Sequence, residues 1–348
     1  MFASIPYFYL PVWNIPVPGL GNLPIDPWFT LVCIGFVVGL EIARARAIKL
    51  GLEVRHLVDG AIFIVISGFL IGHVFTVIAY KNERLSADDP VESLLAFLRF
   101  WEGFSSMGGF IGAVLAAVVY YRLLRSYEGW LSVLTYVMLA LAGILVAVFA
   151  PAQRSMAYTG LLALAAYIGW LAYKKELPRV TRREVPLRGM RYADAITFGF
   201  PFGWFFGRVG CGVVHDHIGA PTSFPLAMEF PGLGVRHELG LYEAAYSLLI
   251  ALAFWQLGQK DRPPGFFLAA FGLFYAPVRF GLDFLRNTDL SGADSRYLGL
   301  TPGHYGSIAM FVASAILMAW VLRRPHTPLK LDGSGEPVAP AEPAGVGA

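Results

Sequence analysis

The chain of 348 residues is strongly apolar, with 56% hydrophobic residues, 15% charged residues and a mean hydropathy of +0.58. Soluble domains average about a quarter charged residues, so this chain has too little polar surface to cover a soluble fold of its length. A net charge of +3 with scattered basic residues gives no sign of a nucleic-acid partner. The composition therefore predicts a protein whose main solvent is lipid.

Apolar runs long enough to cross a bilayer recur along the chain. We find about nine of them, at 28–45, 57–80, 104–124, 130–150, 156–173, 194–214, 241–257, 264–286 and 304–322. This repetition predicts an all-α integral membrane protein, folded as a polytopic helical bundle of about nine transmembrane helices.

The distribution of Lys and Arg between the runs predicts the orientation, because basic loops stay on the cytoplasmic side. The first loop carries Arg44, Arg46 and Lys49, and the third, fifth and seventh loops are also basic. The loops between them are mixed or poor in basic residues. This alternation predicts an N-terminus outside and a C-terminus inside.

The two flanks differ in composition from the transmembrane domain predicted at 28–322. Residues 1–27 combine Trp13 with tyrosines, phenylalanines and prolines, which favours an interfacial segment on the outer leaflet. Residues 325–348 are rich in Pro, Gly and Ala and have no apolar period, so we expect a disordered cytoplasmic tail.

Charges inside membrane spans are costly unless they are paired or face a cavity, so each is a functional candidate. Arg208 lies in a run of aromatic and small residues, within the segment GRVGCGVVHDHIGAPT. Gly207 and Gly210 leave room beside it for another backbone or a lipid headgroup. The rigid donor fork of Arg suits a phosphate, although a buried carboxylate partner that joins two helices is the structural alternative.

The polar group His215, Asp216 and His217 follows at the outer end of the same run. These side chains are typical of a proton relay, or of a general base near the headgroup plane. A solvated helix end is the alternative. We expect no metal site, because residues spaced i and i+2 on a helix do not face one side.

A second charged group occurs in the segment PVRFGLDFLRNTD. Arg279, Asp283 and Arg286 have the spacing i, i+4 and i+7, which places them on one face of a helix. Asp283 can neutralise one arginine and leave the other to bind an anion. A self-satisfied ladder of ion pairs is equally open.

Two further segments contribute candidates. In RHELGLYEAAY, Glu243 enters an apolar run, where its carboxylate could pair with Arg208 or Arg279 across the bundle. In WEGFSSMGGFIGA, Gly108 and Gly109 allow the backbone to approach a ligand closely, although such glycines are common in membrane helices.

These segments, in their order along the chain, resemble those of the phosphatidylglycerol:prolipoprotein diacylglyceryl transferase family. GRVGCGVVHDHIG, from Gly207 to Gly219, resembles the family signature G-R-x-G-N-x-x-N-x-E-x-x-G, with Asp216 at the Glu position. WEGFSSMGGFIG is similar to W-x-G-G-x-S-F-H-G-G-L-I-G, and HELGLYE to H-P-S-Q-L-Y-E. FYAPVRFGLDFLRNTD resembles L-x-R-F-x-x-E-x-x-R-x-P-D, and LTPGHYGSIAM resembles L-S-x-G-Q-x-x-S-x-x-M.

The resemblance implies transfer of a diacylglyceryl group from phosphatidylglycerol to the lipobox cysteine thiol of prolipoproteins, at the bacterial inner membrane, with the site toward the periplasmic leaflet. The implied partners are phosphatidylglycerol, a signal peptide with its lipobox cysteine and membrane lipids, and no cofactor is expected. The implied catalytic residues are Arg279, Asp283 and a base that is His215 or His217. The implied substrate-binding residues are Gly108, Gly109, Gly207, Arg208, Gly210, Asp216, His237, Tyr242, Glu243 and Arg286.

Several motif positions depart from the family pattern. Met107 occupies the position of the motif histidine, Cys211 and Val214 replace asparagines, and Leu70 replaces an arginine. Phosphate binding is therefore better preserved than proton handling. This leaves open a paralogue that binds anionic phospholipid or transfers another group, and, from a different class, a small-solute transporter.

The family pattern also implies seven spans, two fewer than the apolar runs of this chain. The excess lies at about 130–173, which we interpret as an inserted two-span hairpin. An insertion of two spans preserves the orientation of every span that follows it.

Overall fold

The computed structural model describes residues 4–325, apart from 20, 81–84, 86–88, 101–102, 104, 124–125, 129, 178–181, 185–188 and 292, and apart from the side chains of 122–132 and 182–184. The predicted disordered tail, beyond residue 325, lies outside the described residues. So do parts of the WEGFSSMGGFIGA segment and of the basic third and fifth loops.

Ten α-helices form within the described residues. They are α1 (Pro27–Lys49), α2 (Val54–Ala79), α3 (Pro90–Leu98), α4 (Ser106–Val118), α5 (Trp130–Phe149), α6 (Arg154–Tyr173), α7 (Gly189–Val214), α8 (Leu239–Leu257), α9 (Phe266–Asp283) and α10 (Pro302–Leu322).

Each of the nine predicted apolar runs coincides with one of these helices, and the short α3 is additional. Five helical segments have the length and hydropathy needed to cross a membrane, namely Val54–Ala79, Pro151–Tyr173, Leu239–Leu257, Phe266–Asp283 and Pro302–Leu322. Shorter apolar helices accompany them. The chain is therefore a polytopic helical membrane protein, as predicted, while the count of nine spans and the orientation stay predictions.

Three small antiparallel sheets accompany the helices, which the all-α prediction did not include. Strands β1 (Trp13–Val17) and β2 (Gly21–Ile25) form a hairpin, and β3 (Ser126–Glu128) pairs with β4 (Arg182–Glu184). A third sheet, which we call the head sheet, has the order β5-β7-β6. Its strands are β5 (Ile218–Pro221), β6 (Met228–Phe230) and β7 (Gly234–Glu238). Short polar segments rich in Gly and Pro lie between the apolar runs and carry no span-length signal, which is why the pattern missed these strands.

Glycines set the closest helix crossing, between α1 and α7. Gly35 and Gly39 of α1 face Gly203 and Gly199 of α7, and a Cβ on Gly39 would lie 3.2 Å from the carbonyl oxygen of Gly199. Without side chains at these positions, the two backbones come into direct contact. The crossing fixes α7, which carries Arg208.

Helices α7, α8 and α9 pack around an aromatic core. Phe198, Phe254, Phe267, Phe271 and Tyr275 are buried there, with edge-to-face contacts such as Phe198 on Phe267 at 4.9 Å between ring centroids. Such aromatic pairs stabilise a fold by more than the apolar area that they bury would give. The core holds the three helices in register up to the end of the bundle where α7 and α9 end and α8 and α10 begin. We call this the head end, because the head sheet lies there.

The predicted hairpin at 130–173 forms α5 and α6 and is anchored at both ends. At the head end, the backbone N–H of Asp26 donates to Thr159 Oγ1 at 2.9 Å. At the other end, Arg44 of α1 binds the carboxylate of Glu176, with its Nε 3.0 Å from Oε2. The hairpin therefore packs on the outside of α1, away from the core of α7, α8 and α9.

An N-terminal strap, residues 5–8, lies across the head sheet. Ile5 forms a parallel β-bridge with Met228, and the N–H of Ile5 donates to the carbonyl of Ala227 at 2.7 Å. The N–H of Glu229 donates back to the carbonyl of Ile5 at 3.3 Å. The strap thus joins the beginning of the described chain to the head end of the bundle.

Candidate functional site

The predicted intramembrane charges meet at the head end, where Arg208 and Glu243 form a buried ion pair. The Nε of Arg208 is 3.1 Å from Oε1 of Glu243, and the two side chains are only 6% and 2% exposed. Tyr275 donates its hydroxyl proton to the same oxygen. The Arg208 guanidinium also lies over the Trp204 ring, 4.5 Å from its centroid. Of the two pairings left open for Glu243, the structure contains the one with Arg208.

A second set of charges begins one helical turn beyond Tyr275 on α9. Asp283 Oδ1 contacts Nη1 of Arg279 at 2.6 Å and Nε of Arg286 at 2.9 Å. Arg286 also reaches Asp294 at 2.6 Å. Asp283 therefore pairs with both arginines. The expectation of one continuous helix face was wrong in one respect, because α9 ends at Asp283 and Arg286 extends back from the turn that follows it.

The start of α10 completes the surroundings of Asp283. Thr301 donates its hydroxyl proton to Asp283 Oδ2 at 2.5 Å. The backbone N–H of Thr301 donates to Nδ1 of His304 at 3.1 Å, which forms a capping box. The loop before α10 is thereby tied to the end of α9, and the carboxylate of Asp283 is held in place by α9, α10 and the turn between them.

Two arginines keep donors that strong acceptors do not occupy. Nη1 of Arg208 faces the Cys211 thiol at 3.8 Å and Nε2 of His217 at 3.4 Å, which are long and weak contacts. Nε of Arg279 is buried without a hydrogen-bond partner among the described residues. Buried donors are normally satisfied. These guanidinium groups are therefore equipped to bind an anionic oxygen.

A polar cavity of about 110 Å³ adjoins these charges. Its lining consists of Asp216, His217, Ile218, Leu239, Arg286, Asn287, Ala293 and Asp294. Burial lowers the pKa of the Arg286 guanidinium, but the carboxylates of Asp294 and Asp283 outweigh that effect and raise it. The cavity therefore has a permanent cation in its wall, and it has room for several water molecules or a compact polar group.

The residues after α7 are not helical, which corrects the spacing argument applied to them above. The helix ends at Val214, and His215 has a left-handed φ of +54°. This turn sends the two histidines in different directions. His217 contacts Arg208 and lines the cavity, whereas His215 lies beneath the N-terminal strap.

Both ring nitrogens of His215 have partners outside the cavity. Nε2 donates to the carbonyl oxygen of Phe8 at 2.6 Å, and Nδ1 is 3.3 Å from Oε2 of Glu238. Glu238 is fully buried, and burial raises its pKa to about 8. This pair therefore fastens the strap to Glu238, the last residue of β7 and the N-cap of α8, and His215 does not reach the arginines.

The remaining predicted residues lie around this centre. His237 Nδ1 and the Tyr242 hydroxyl are 3.2 Å apart, and Tyr242 donates to the carbonyl of Leu226, on the head sheet side of α8. Burial lowers the pKa of His237. Gly207 has open space where a Cβ would be, whereas a Cβ on Gly210 would lie 3.1 Å from the Trp28 ring.

Gly108 and Gly109 lie on α4, where it packs against α2. A Cβ on Gly108 would come within 3.0 Å of the Cα of Gly72, and the nearest neighbour of one on Gly109 is the Gly68 carbonyl at 3.8 Å. The backbone approach that these glycines allow is thus the approach of α2. Met107, beside them, is buried in the aromatic core.

Cys211, Asp216 and His217 bring potential metal ligands together, with ligand atoms within 4.8 Å of one another. The sequence did not predict this grouping, because the spacing argument assumed a helix. The guanidinium of Arg208 lies 3.8 Å from the thiol and 3.4 Å from the imidazole. A second cation placed here would be repelled by that charge, so the donor set does not favour a metal.

Sequence reasoning missed several residues that complete the site. Tyr275 precedes Arg279 by one turn on α9, so helical periodicity could have placed it on the same face. Thr301, Asp294 and Asn287 come from the loop between α9 and α10, which carried no periodic signal. Their roles depend on how that loop folds back over the end of α9.

Comparison with known proteins shows the family of the chain. The family model described as prolipoprotein diacylglyceryl transferase matches residues 17–150 and 131–320. The chain belongs to this family. The two matched ranges overlap within α5, in the hairpin that the sequence indicated as an insertion. Together they include the whole of the charged site and every helix described above except the last two residues of α10.

Curated relatives extend the likeness over most of the chain. The phosphatidylglycerol–prolipoprotein diacylglyceryl transferase of Chromohalobacter salexigens is 27% identical over 303 residues, which are 86% of this chain and 89% of that protein. The protein of the same name from Pseudoalteromonas atlantica is 28% identical over 249 residues, or 69% of this chain and 79% of its own. Another from Nitratidesulfovibrio vulgaris is 29% identical over 274 residues, or 75% and 77%.

Proposed function

We propose that this member of the prolipoprotein diacylglyceryl transferase family transfers the diacylglyceryl group of phosphatidylglycerol to the lipobox cysteine thiol of a prolipoprotein. The observation that carries the proposal is the buried arginine group at the head end. Arg208 and Arg279 keep free or weakly occupied donors there, and Arg286 lines the adjoining cavity. The similarity to transferases of that name supports the choice of donor and acceptor.

The proposed chemistry follows from what these residues can bind. The bond between the glyceryl carbon and the phosphate oxygen breaks, and the thiol sulfur takes the place of that oxygen on carbon. Negative charge grows on the departing glycerol phosphate, and guanidinium donors held in a buried site stabilise it without reorganising. Arg208 and Arg279 are the proposed phosphate ligands, and Arg286 a third cation beside them.

The carboxylates in the site keep this cluster of positive charge stable before substrate arrives. Glu243 compensates Arg208, while Asp283 compensates Arg279 and Arg286. Uncompensated arginines would be expensive in a span. We propose that an arriving phosphate uses the remaining donors and leaves these ion pairs intact.

We place the protein in the bacterial inner membrane, with the head end at the periplasmic leaflet. The basic loops predicted for the cytoplasm belong to the opposite end of the bundle, where α1 ends and α2 begins. The exposed aromatic side chains of Tyr9 and Trp13 are at the head end, as suits residues that lie in a membrane interface. The donor lipid and the acceptor cysteine would then meet at headgroup depth.

The experiment is transfer by the purified protein between phosphatidylglycerol and a synthetic lipobox peptide, followed by mass spectrometry. We expect the peptide to gain the mass of one diacylglyceryl group. Arg208→Ala and Arg279→Ala should each lower the rate about 10²–10³-fold, as loss of one oxyanion donor does. Arg296→Ala is the control, because that side chain is half-buried in the loop before α10 and donates to the carbonyl of Gly299.

Two outcomes would contradict the proposal in different ways. If the wild-type protein binds phosphatidylglycerol in native mass spectrometry but transfers nothing to the peptide, the binding-only paralogue replaces the transferase. If it binds no anionic phospholipid at all, the arginine group is a set of structural ion pairs, and both functions are excluded.

A further inference from the structure

This inference deepens the proposed function and rests on it. A thiol attacks carbon as its thiolate, and a free cysteine thiol has a pKa of about 8.5. The acceptor thiol must therefore lose a proton near the phosphate-binding arginines. The sequence offered two histidines for this role, His215 and His217, and their contacts in the structure differ enough to choose between them.

The contacts of His217 leave one nitrogen available as a base. Its Nδ1 donates to Oδ1 of Asp216, which fixes the tautomer and leaves the lone pair on Nε2. The nearest group to Nε2 is Nη1 of Arg208 at 3.4 Å, a contact too long to hold the lone pair strongly. The ring also lines the polar cavity beside Arg286. A basic nitrogen therefore lies beside Arg208, one of the proposed phosphate ligands, on a ring that shares the cavity with Arg286.

His215 has no such nitrogen. Its Nε2 donates to the Phe8 carbonyl at 2.6 Å, and its Nδ1 faces the buried Glu238 carboxyl at 3.3 Å. The rings of Tyr7 and Phe230 also cover it, with centroids 4.9 and 5.3 Å away. To accept a thiol proton, His215 would have to give up the contacts that hold the strap.

We propose that His217, oriented by Asp216, takes the proton of the acceptor thiol at Nε2. The S–H proton moves to Nε2, and the thiolate sulfur forms a bond to the glyceryl carbon. The carbon–oxygen bond to phosphate breaks, and its electron pair leaves on the glycerol phosphate. The proton on the imidazolium then passes to the released phosphate or to water, so that charge and atoms balance.

The electrostatic surroundings keep this imidazole neutral before the reaction. Burial lowers the pKa of His217, and Arg286 and Arg208 act in the same direction, against Asp216. A neutral ring at neutral pH is the form that accepts a proton. The charged and titratable groups that face it come from four elements, namely Arg208 and Cys211 of α7, Asp216 of the following turn, Glu243 of α8, and Arg286 and Asp294 after α9.

The test compares two acceptor peptides, one with a lipobox cysteine and one with selenocysteine at the same position. A selenol is already ionised at neutral pH and needs no base. We expect His217→Gln to slow transfer to the cysteine peptide about 10²–10⁴-fold, the usual contribution of a general base. With the selenocysteine peptide, the transfer rate of the same variant should fall by less than about tenfold. Raising the pH above the thiol pKa of about 8.5 should restore part of the loss.

Controls separate a chemical role from a structural one. Asp216→Asn should show the same dependence on the acceptor, with a smaller loss, because the amide no longer stabilises the imidazolium. His215→Gln should change both rates by the same factor. Phosphatidylglycerol binding, measured by native mass spectrometry, should persist in His217→Gln and show that the variant folds.

The proposal is overturned if His217→Gln slows both acceptors equally, or if it leaves the cysteine reaction unchanged. An acceptor-dependent loss in His215→Gln in place of His217→Gln would transfer the role to His215 and also overturn it. A wild-type protein inactive with both peptides would count against the proposed function itself, and that failure is distinguishable from failure of the base.

Discussion

At the scale of single residues, the ion pair of Arg208 and Glu243 stabilises the bundle and forms part of the proposed phosphate site. The two groups are nearly unexposed, and the carboxylate also accepts from Tyr275. Breaking a buried pair by neutralising one partner leaves an uncompensated charge in a low-dielectric interior. Because Glu243 compensates the Arg208 charge inside a membrane span, loss of the Glu243 charge should destabilise the protein.

Glu243→Gln should destabilise the protein by about 3–5 kcal/mol, because it leaves the Arg208 charge without its partner. Tyr275→Phe is the matched variant, since it removes a hydrogen bond to the same oxygen and keeps the charge pair. It should cost about 1.5–3 kcal/mol. Thermal unfolding in detergent measures both. Equal losses in the two variants would show that the charge pair itself contributes little.

Single residues also differ in how well the sequence predicts their contacts. An intramembrane arginine needs a partner, so the sequence could predict that Glu243 pairs with Arg208 or Arg279 but not with which of the two. The difference between His215 and His217 could not be predicted. It depends on the left-handed φ of His215 and on a contact with Phe8, 207 residues earlier in the chain. Neither leaves a periodic signal.

At the scale of elements, the crossing of α1 and α7 fixes the position of α7 and of Arg208, which α7 carries. Gly203 lies against the backbone of Gly35, so the distance between these helices is set by the absence of side chains. Apolar runs located both helices well, while their crossing point depends on small residues at matching heights. Sequence runs also placed the end of α9 three residues too far, because the turn that brings Arg286 back to Asp283 continues the apolar pattern.

Gly203→Ala should destabilise the bundle by about 1–3 kcal/mol, the usual cost of overpacking. The added Cβ would meet the Gly35 backbone, which cannot move without shifting α1. Gly169→Ala on α6 is the matched control, because nothing lies within 4 Å of its Cβ, and it should be neutral or stabilise the helix by up to about 1 kcal/mol. Thermal unfolding in detergent compares them. A neutral Gly203→Ala would mean that α1 and α7 can move apart.

At the scale of the whole molecule, the chemistry is concentrated at one end. The arginines, the polar cavity and the head sheet share the head end, and the hairpin of α5 and α6 lies outside α1. The hairpin therefore changes the outline of the molecule without entering the site. The apolar runs located both helices of the hairpin, and its origin as an insertion stays a prediction. Its attachment to Asp26 and Arg44 could not be predicted, because it depends on tertiary contacts.

The predicted orientation can be tested with single cysteines in a Cys33→Ser background. Ser223→Cys, on the head sheet side, should react with a membrane-impermeant thiol reagent in intact spheroplasts. Lys260→Cys, in the turn between α8 and α9, should react only after the membrane is opened. Both positions are exposed, so accessibility alone does not separate them. The reverse pattern would invert the topology and move the site to the cytoplasmic leaflet.

The N-terminal strap can close only after a much later part of the chain has been synthesised. Phe8 and its partner His215 are separated by 207 residues. At synthesis rates of about 5–20 residues per second, roughly 10–40 s pass between the appearance of one and the appearance of the other. Throughout that interval the aromatic residues of the strap have no sheet to join, and the membrane interface is the surface that suits them. Closure of the strap is therefore a late event in biogenesis, and it follows the insertion of α7 and the start of α8.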